Sequence, residues 1–246
     1  DQALNNTTAE MDLLDDHDRT TETDVPVTFY DQRTGEVRDH FVHTLTMHGQ
    51  PDTLSVDPLF TYRVVAHTLP PSTRENVTIE PGKHTIVTVV AGQGDLELKV
   101  GGGFPDANGL QCIVRRKGEG ATLDVQPMNT KRRYRTGSYD LEVLTLPRTL
   151  LPDVTIEQDR TTTIAVAQPG ILNLQFGIPG DGGLFQKNGD ELRWVAALDP
   201  RATNMLFRLQ PGDYHVVYRS INAHQTIYSV KKDVTILSDR TITLNF

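Results

Sequence analysis

One motif written three times restricts this chain more than any other feature. Val77-Thr78-Ile79-Glu80, Val154-Thr155-Ile156-Glu157 and Val234-Thr235-Ile236 each open a stretch of alternating apolar and polar residues, running to Val89, Val166 and Phe246. Each copy follows a second shared block, Tyr62-Arg63-Val64-Val65, Tyr139-Asp140-Leu141-Glu142 and Tyr214-His215-Val216-Val217, and the three tyrosines stand 77 and 75 residues apart. That spacing is longer than the roughly 20 to 50 residues of common solenoid units, so it predicts three small domains in tandem rather than a propeller or a helical array.

Alternation with period 2, broken every few residues by Gly, Pro, Asn or Asp, is the pattern of antiparallel strands with one buried face. In the first repeat it predicts strands near Val25 to Tyr30, Val37 to Met47, Asp52 to Val56, Phe60 to Thr68, Asn76 to Glu80 and His84 to Val90. The second repeat opens on Leu96, Leu98 and Val100 and the third on Leu172, Leu174 and Phe176; Val25, Val27 and Phe29 are expected to hold the same place in the first. Arg33-Thr34-Gly35 and Pro81-Gly82-Lys83 supply tight turns, and Asn108-Gly109 and Asn188-Gly189 read as type I′ hairpins. No sustained 3.6-residue period predicts a substantial helix. The expected fold is therefore all-β: three tandem immunoglobulin-like or transthyretin-like β-sandwiches forming an elongated chain. The expected spans are an acidic lead-in or linker over 1–23, then sandwiches over 24–91, 92–167 and 168–246, joined near Gly92-Gln93-Gly94 and Gln168-Pro169-Gly170.

Charge and cysteine narrow the function classes. The formal net charge is −8, from 32 acidic and 24 basic residues, and the basic ones cluster only at Arg115-Arg116-Lys117 and Lys131-Arg132-Arg133. A nucleic-acid partner is not expected from that balance. The single cysteine, Cys112, excludes a disulfide within the chain and reads as a small buried hydrophobe in a strand. No run reaches the roughly 20 apolar residues of a membrane helix, and no basic-then-apolar leader opens the sequence, which reads as a mature or processed product. Asn-x-Thr triplets at Asn5 or Asn6 and at Asn76 would accept glycans only in a eukaryotic secretory setting.

Two stretches resemble known small sandwiches. Val27-Thr28-Phe29-Tyr30-Asp31 followed by Thr34-Gly35 resembles the opening of carboxypeptidase-regulatory-like, transthyretin-like domains. Leu209-Gln210-Pro211-Gly212-Asp213-Tyr214-His215-Val216 resembles the Pro-Gly-x-Tyr strand of that group and of the short envelope domains named for a Pro-Glu-Gly-Ala motif; Thr136-Gly137-Ser138-Tyr139 keeps the Gly-x-Tyr without the proline. The tandem is also similar to the region following a von Willebrand factor A domain in large envelope or secreted proteins of Bacteroidota-type bacteria. The resemblance implies a stalk, scaffold or interaction module in the cell envelope, periplasmic or extracellular, with other envelope or extracellular proteins and an upstream von Willebrand A domain as partners. The Asp-x-Ser-x-Ser run of that domain's metal site is absent from this sequence, so no ligand-binding residue is carried over.

Residues that could carry chemistry are few. His40, His43 and His48 would bind zinc if they converged, but odd spacings place neighbouring members on opposite faces of a strand. The acidic run Asp12, Asp15, Asp16 and Asp18 lacks the spacing of a calcium loop and reads as a solvated face. Gly101-Gly102-Gly103 and Gly180-Asp181-Gly182-Gly183 precede no helix and read as flexible loops rather than phosphate cradles. Trp194, the one tryptophan, could anchor a sugar or a protein partner, or could be buried together with Leu192 on the same strand face. No catalytic group, cofactor or metal ligand is assigned. The leading expectation is a non-catalytic structural and protein-interaction segment of an exported bacterial protein. A carbohydrate-binding module and an accessory part of a metal-dependent hydrolase stand as alternatives.

Overall fold

A computed structural model of the chain describes residues 7–51, 53–103 and 109–246. The turn residue Asn108 and the strand start Asp52 lie outside these residues, as do Asn5 and Asn6. Seven strands recur three times. In the first set they are β1 (Thr8–Leu14), β2 (Val25–Asp31), β3 (Val37–His43), β4 (Thr53–Ser55), β5 (Thr61–Ala66), β6 (Ser72–Thr78) and β7 (His84–Val90). The second set is β8 (Gln93–Val100), β9 (Gln111–Arg116), β10 (Asp124–Pro127), β11 (Lys131–Arg135), β12 (Gly137–Val143), β13 (Thr149–Ile156) and β14 (Thr161–Val166). The third is β15 (Gly170–Gln175), β16 (Gly180–Asn188), β17 (Glu191–Ala197), β18 (Asn204–Leu209), β19 (Gly212–Ser220), β20 (Val230–Ile236) and β21 (Thr241–Asn245).

Each set makes a three-stranded and a four-stranded sheet in the same order. The orders β4-β1-β7 and β3-β2-β5-β6 recur as β11-β8-β14 and β10-β9-β12-β13, then as β18-β15-β21 and β17-β16-β19-β20. The fold is thus all-β, with six sheets paired as three sandwiches. By compactness the chain divides into two units, Asp1–Glu97 with Lys131–Tyr139 and Asp153–Thr163, and Leu98–Thr130 with Asp140–Pro152 and Ile164–Phe246.

In the first unit the leading strand corrects the sequence reading. Thr8–Leu14 was expected within an acidic lead-in, yet it forms β1, the central strand of its sheet, parallel to β7 and antiparallel to β4. Ala9, Met11 and Leu13 are fully buried and join Val27, Phe29, Tyr62, Val64, Val87 and Val89 in one core. Burying a side chain of Leu or Met size contributes about 1.5–3 kcal/mol, which outweighs the cost of half-burying Glu10 and Asp12 on the other face. Burial, and then the charge of Glu10, raise the Asp12 carboxyl above its ordinary value. The equivalence of the repeats shifts with this strand. The amides of Thr8, Asp95 and Ile171 bond the carbonyls of Lys83, Arg160 and Arg240, so β1, β8 and β15 correspond. Ala9, Met11 and Leu13 therefore take the place expected for Val25, Val27 and Phe29, which belong to the second strand of the repeat.

The turn before the last strand of each set is shared too. Gly82 (φ 70), Asp159 (φ 54) and Asp239 (φ 56) all take left-handed backbone there, the region that Gly enters freely and Asp tolerates better than most residues. In the first unit a joint also forms between strand sets. Glu22, just ahead of β2, is 1% exposed. Its carboxylate accepts from the Gln93 side chain at 2.9 Å, the Gln158 side chain at 2.6 Å and Arg133 at 3.2 Å. Beside it, the Thr136 hydroxyl donates to Asp16 at 2.7 Å, and the Arg135 amide donates to the Leu69 carbonyl at 2.7 Å. Asp15 is buried as well. Burial works against its charge, but bonds from the Arg19 amide and guanidinium and from the His17 amide outweigh that and hold the carboxyl well below the usual carboxylate range.

The second unit holds a core of Leu172, Leu174, Phe176, Leu184, Tyr214, Val216, Tyr218 and Ile236. Phe176 and Tyr218 stack with centroids 4.6 Å apart, and Phe246 packs on both. Its joint repeats the backbone contact seen in the first unit: the Gln210 amide donates to the Leu146 carbonyl at 2.8 Å. Leu146 follows Tyr139 by the seven residues that separate Leu69 from Tyr62. Gly180-Asp181-Gly182-Gly183, expected as a loop, lies inside β16. A Cβ on Gly180 or Gly182 would fall on the carbonyl of Arg219 or Val217, so the glycines let β16 and β19 approach closely. In the β16–β17 hairpin Gly189 has φ 63 while Asn188 and Asp190 keep negative φ, so the turn is not the two-residue Asn-Gly type I′ expected.

Candidate functional site

The outer face of the sheet β17-β16-β19-β20 carries the residues that best suit a binding surface. Its inner face is fixed by Leu184, Tyr214, Val216 and Val234, all buried, so their strand neighbours point outward. Cross-strand pairing sets Trp194 opposite Phe185, Phe185 opposite His215, and His215 opposite Asp233. The four side chains make one row across the sheet.

A bulge places Trp194 there. Leu184 pairs with Ala196 but Phe185 pairs with Trp194, leaving Val195 as the extra residue, and Val195 packs against the core. Trp194 is 61% exposed and Leu192 49% exposed. Both lie outward on an edge strand. They do share one face, as expected, but the joint burial considered in the sequence does not occur.

The polar end of the row is ordered. His215 Nδ1 lies 2.6 Å from Asp233, and Lys187 lies 3.6 Å from the same carboxylate. The His215 hydrogen bond, with help from Lys187 and against a smaller burial effect, lowers the Asp233 carboxyl. Gly183 lies beside Phe185, whose ring edge would stand 3.1 Å from a Cβ built there. The surface thus joins an exposed indole, a half-buried phenyl and a fixed His–Asp–Lys group. It can offer an apolar plate with hydrogen-bond donors and acceptors at its edge.

The other candidates fall elsewhere. His43 is buried and its Nε2 bonds the Met11 carbonyl at 2.8 Å, His40 is exposed on β3, and His48 lies in the following turn. The three do not converge, and among the described residues no group of three His, Cys, Asp or Glu side chains gathers as a metal site. Cys112 is fully buried, and burial pushes its thiol up to about 11. The repeated tyrosines each close a corner: Tyr62 donates to the Asp57 carbonyl, Tyr139 to Arg135 and Tyr214 to Gln210, at 2.7, 2.6 and 2.7 Å. This tyrosine corner is a packing device of sandwich folds, which accounts for the repetition without a ligand.

No family profile matches the chain, and no curated protein matches its sequence. Solved structures give distant likenesses. The Bacillus anthracis TIE protein is 13% identical with a TM-score of 0.26, over 98% of this chain and 50% of its own. A streptococcal ancillary pilin is 10% identical with a TM-score of 0.33, over 97% and 98%. The major pilin subunit of Bacillus cereus is 10% identical with a TM-score of 0.26, over 98% of both chains. The chain spans half the length of the first of these proteins. No helix among the described residues is long and apolar enough to cross a membrane.

Proposed function

We propose that this chain is a non-catalytic structural and interaction segment of an exported bacterial protein, built from transthyretin-like sandwiches and working as a scaffold among envelope or extracellular proteins. The proposed sandwiches span 92–167, 168–246 and, in the first, 24–91 together with β1. One observation carries the reading. The same backbone bond recurs at both joints, from the Arg135 amide to Leu69 and from the Gln210 amide to Leu146, and at the first a buried Glu22 gathers donors from three later segments. Free linkers would leave such groups in water; here the Glu22 carboxylate is taken out of water and bonded, which fixes local geometry.

The test is the molar mass of the native particle combined with cross-linking mass spectrometry. A stoichiometric assembly whose cross-links fall on the residues of the β17 face supports the scaffold. A lone monomer without cross-links would overturn it.

The same face favours a second reading, a carbohydrate-binding module, because an exposed indole beside ordered polar groups suits a sugar ring. Its single tryptophan makes the check direct. Saturable change of Trp194 fluorescence with an oligosaccharide, lost in Trp194→Ala at an unchanged unfolding midpoint, supports this reading; unchanged fluorescence across a glycan panel removes it.

A further inference from the structure

We propose that His40 and His67 form a surface site for a divalent late transition metal ion, copper(II) before nickel(II) or zinc(II), on the outer face of β3-β2-β5. The Thr28 hydroxyl, in the central strand β2, lies 2.8 Å from His40 Nδ1 and 2.8 Å from His67 Nε2. The imidazoles come from the two flanking sides: His40 pairs directly with Thr28 on β3, and the amide of His67, just past β5, bonds the Pro26 carbonyl. Their ring centroids are 6.2 Å apart.

Two nitrogens from distant parts of the chain thus converge on one oxygen. A hydroxyl has one proton to donate, so with neutral rings at least one of these nitrogens is a donor toward Thr28. Both rings are exposed, so moving that proton to the ring's other nitrogen is readily compensated by water. Both lone pairs then face the Thr28 oxygen, which becomes the third donor once small ring rotations seat the ion between the three atoms. Metal–imidazole bonds are about 2.0–2.1 Å long, which puts adjacent donors of a tetragonal site about 3.0 Å apart. The two N···O separations are already close to that edge. Tetragonal N,O geometry and the usual order of divalent affinities both favour copper(II). Thr28 is 3% exposed and held in a central strand, so the rings are gathered before any metal arrives and less ordering entropy opposes binding. Water completes the coordination on the open side.

The test is copper(II) titration of the full chain, followed by histidine ring signals in NMR. The expected result is that the first equivalent broadens His40 and His67 before the other histidines. His40→Ala and His67→Ala should each weaken the first binding event at least tenfold, while His84→Ala leaves it unchanged. Both replaced rings are exposed, so unfolding midpoints should stay put, and the NMR readout on the unaltered chain depends on no variant. Broadening that begins at other histidines, or undiminished affinity in either variant, would overturn the proposal.

Discussion

The Gln158 side chain donates to the Glu22 carboxylate at 2.6 Å across 136 residues of sequence. Gln93 and Arg133 meet the same carboxylate, which is almost wholly removed from solvent. A buried acceptor shared by three donors is costly to remove because its partners lose their bonds together.

Replacement of Glu22 by Ala is therefore expected to lower stability by about 2–3 kcal/mol, the upper part of the range for leaving buried donors unsatisfied and below that for breaking a fully buried ion pair, because Arg133 keeps contact with water. Glu22→Gln should recover only part of it, since an amide nitrogen would face the donors of Gln93 and Gln158. Urea unfolding of the two variants checks the order. A midpoint for Glu22→Ala equal to that of the parent would show that the joint contributes nothing.

Acid stability should depend on Asp31. The Arg38 guanidinium, then the Arg33 amide, hold its carboxyl down to about 2, against a smaller burial effect. A group depressed in the folded state stabilises above its unfolded value, and that contribution disappears as pH falls through the folded value. The loss attributable to Asp31 should thus lie between about pH 4 and pH 2. Asp31→Asn should flatten that part of the profile and lower stability at neutral pH. Thermal unfolding across the acid range measures it; parallel profiles for parent and variant would be the contrary result.

Much of this architecture was legible because it rests on local periodicity. The Val-Thr-Ile blocks place Ile79, Ile156 and Ile236 in the cores, and the shared tyrosines mark equivalent strands. The Asp31, Thr34 and Gly35 turn also reads true: Asp31 takes the amides of Arg33 and Thr34, and Gly35 has φ 76. β1 was missed because the acidic residues that follow it, Asp15, Asp16, Asp18 and Glu22, dominate the composition of the segment, although Ala9, Met11 and Leu13 alternate as a strand should. The exposure of Trp194 could not be read. Period 2 tells which residues share a face, but the bulge at Val195 decides which face meets the core. Glu22 and the His40–His67 pair were equally hidden, since their partners lie far away in sequence and only the fold brings them together.

Cys112 offers a reporter for opening of the second strand set. Its thiol is fully buried, and burial, the largest influence, pushes it up to about 11, so at neutral pH it is both shielded and protonated. Native protein should react with a thiol reagent at least a hundredfold more slowly than unfolded protein. The rate should rise with denaturant in step with unfolding. Fast stoichiometric labelling of the native chain would contradict the closed packing around β9.

The tyrosine corners predict an alkaline limit as well as a packing cost. Tyr214→Phe removes the bond to the Gln210 carbonyl while keeping the ring, so about 1 kcal/mol should be lost, and Tyr62→Phe should lose a similar amount at Asp57. Burial raises both phenols to about 12 in the folded chain, against about 10 when unfolded. An acid whose folded value is raised favours folding while it stays protonated, so this stabilisation is complete below about pH 10 and is lost as pH climbs toward 12. Burial raises the Tyr218 phenol as well, so ultraviolet titration should show a late-ionising set of tyrosines in the parent and one fewer in each variant. If all tyrosines titrate together near the ordinary value while the protein remains folded, the corners are open in solution and the stability cost of the Phe variants should vanish with them.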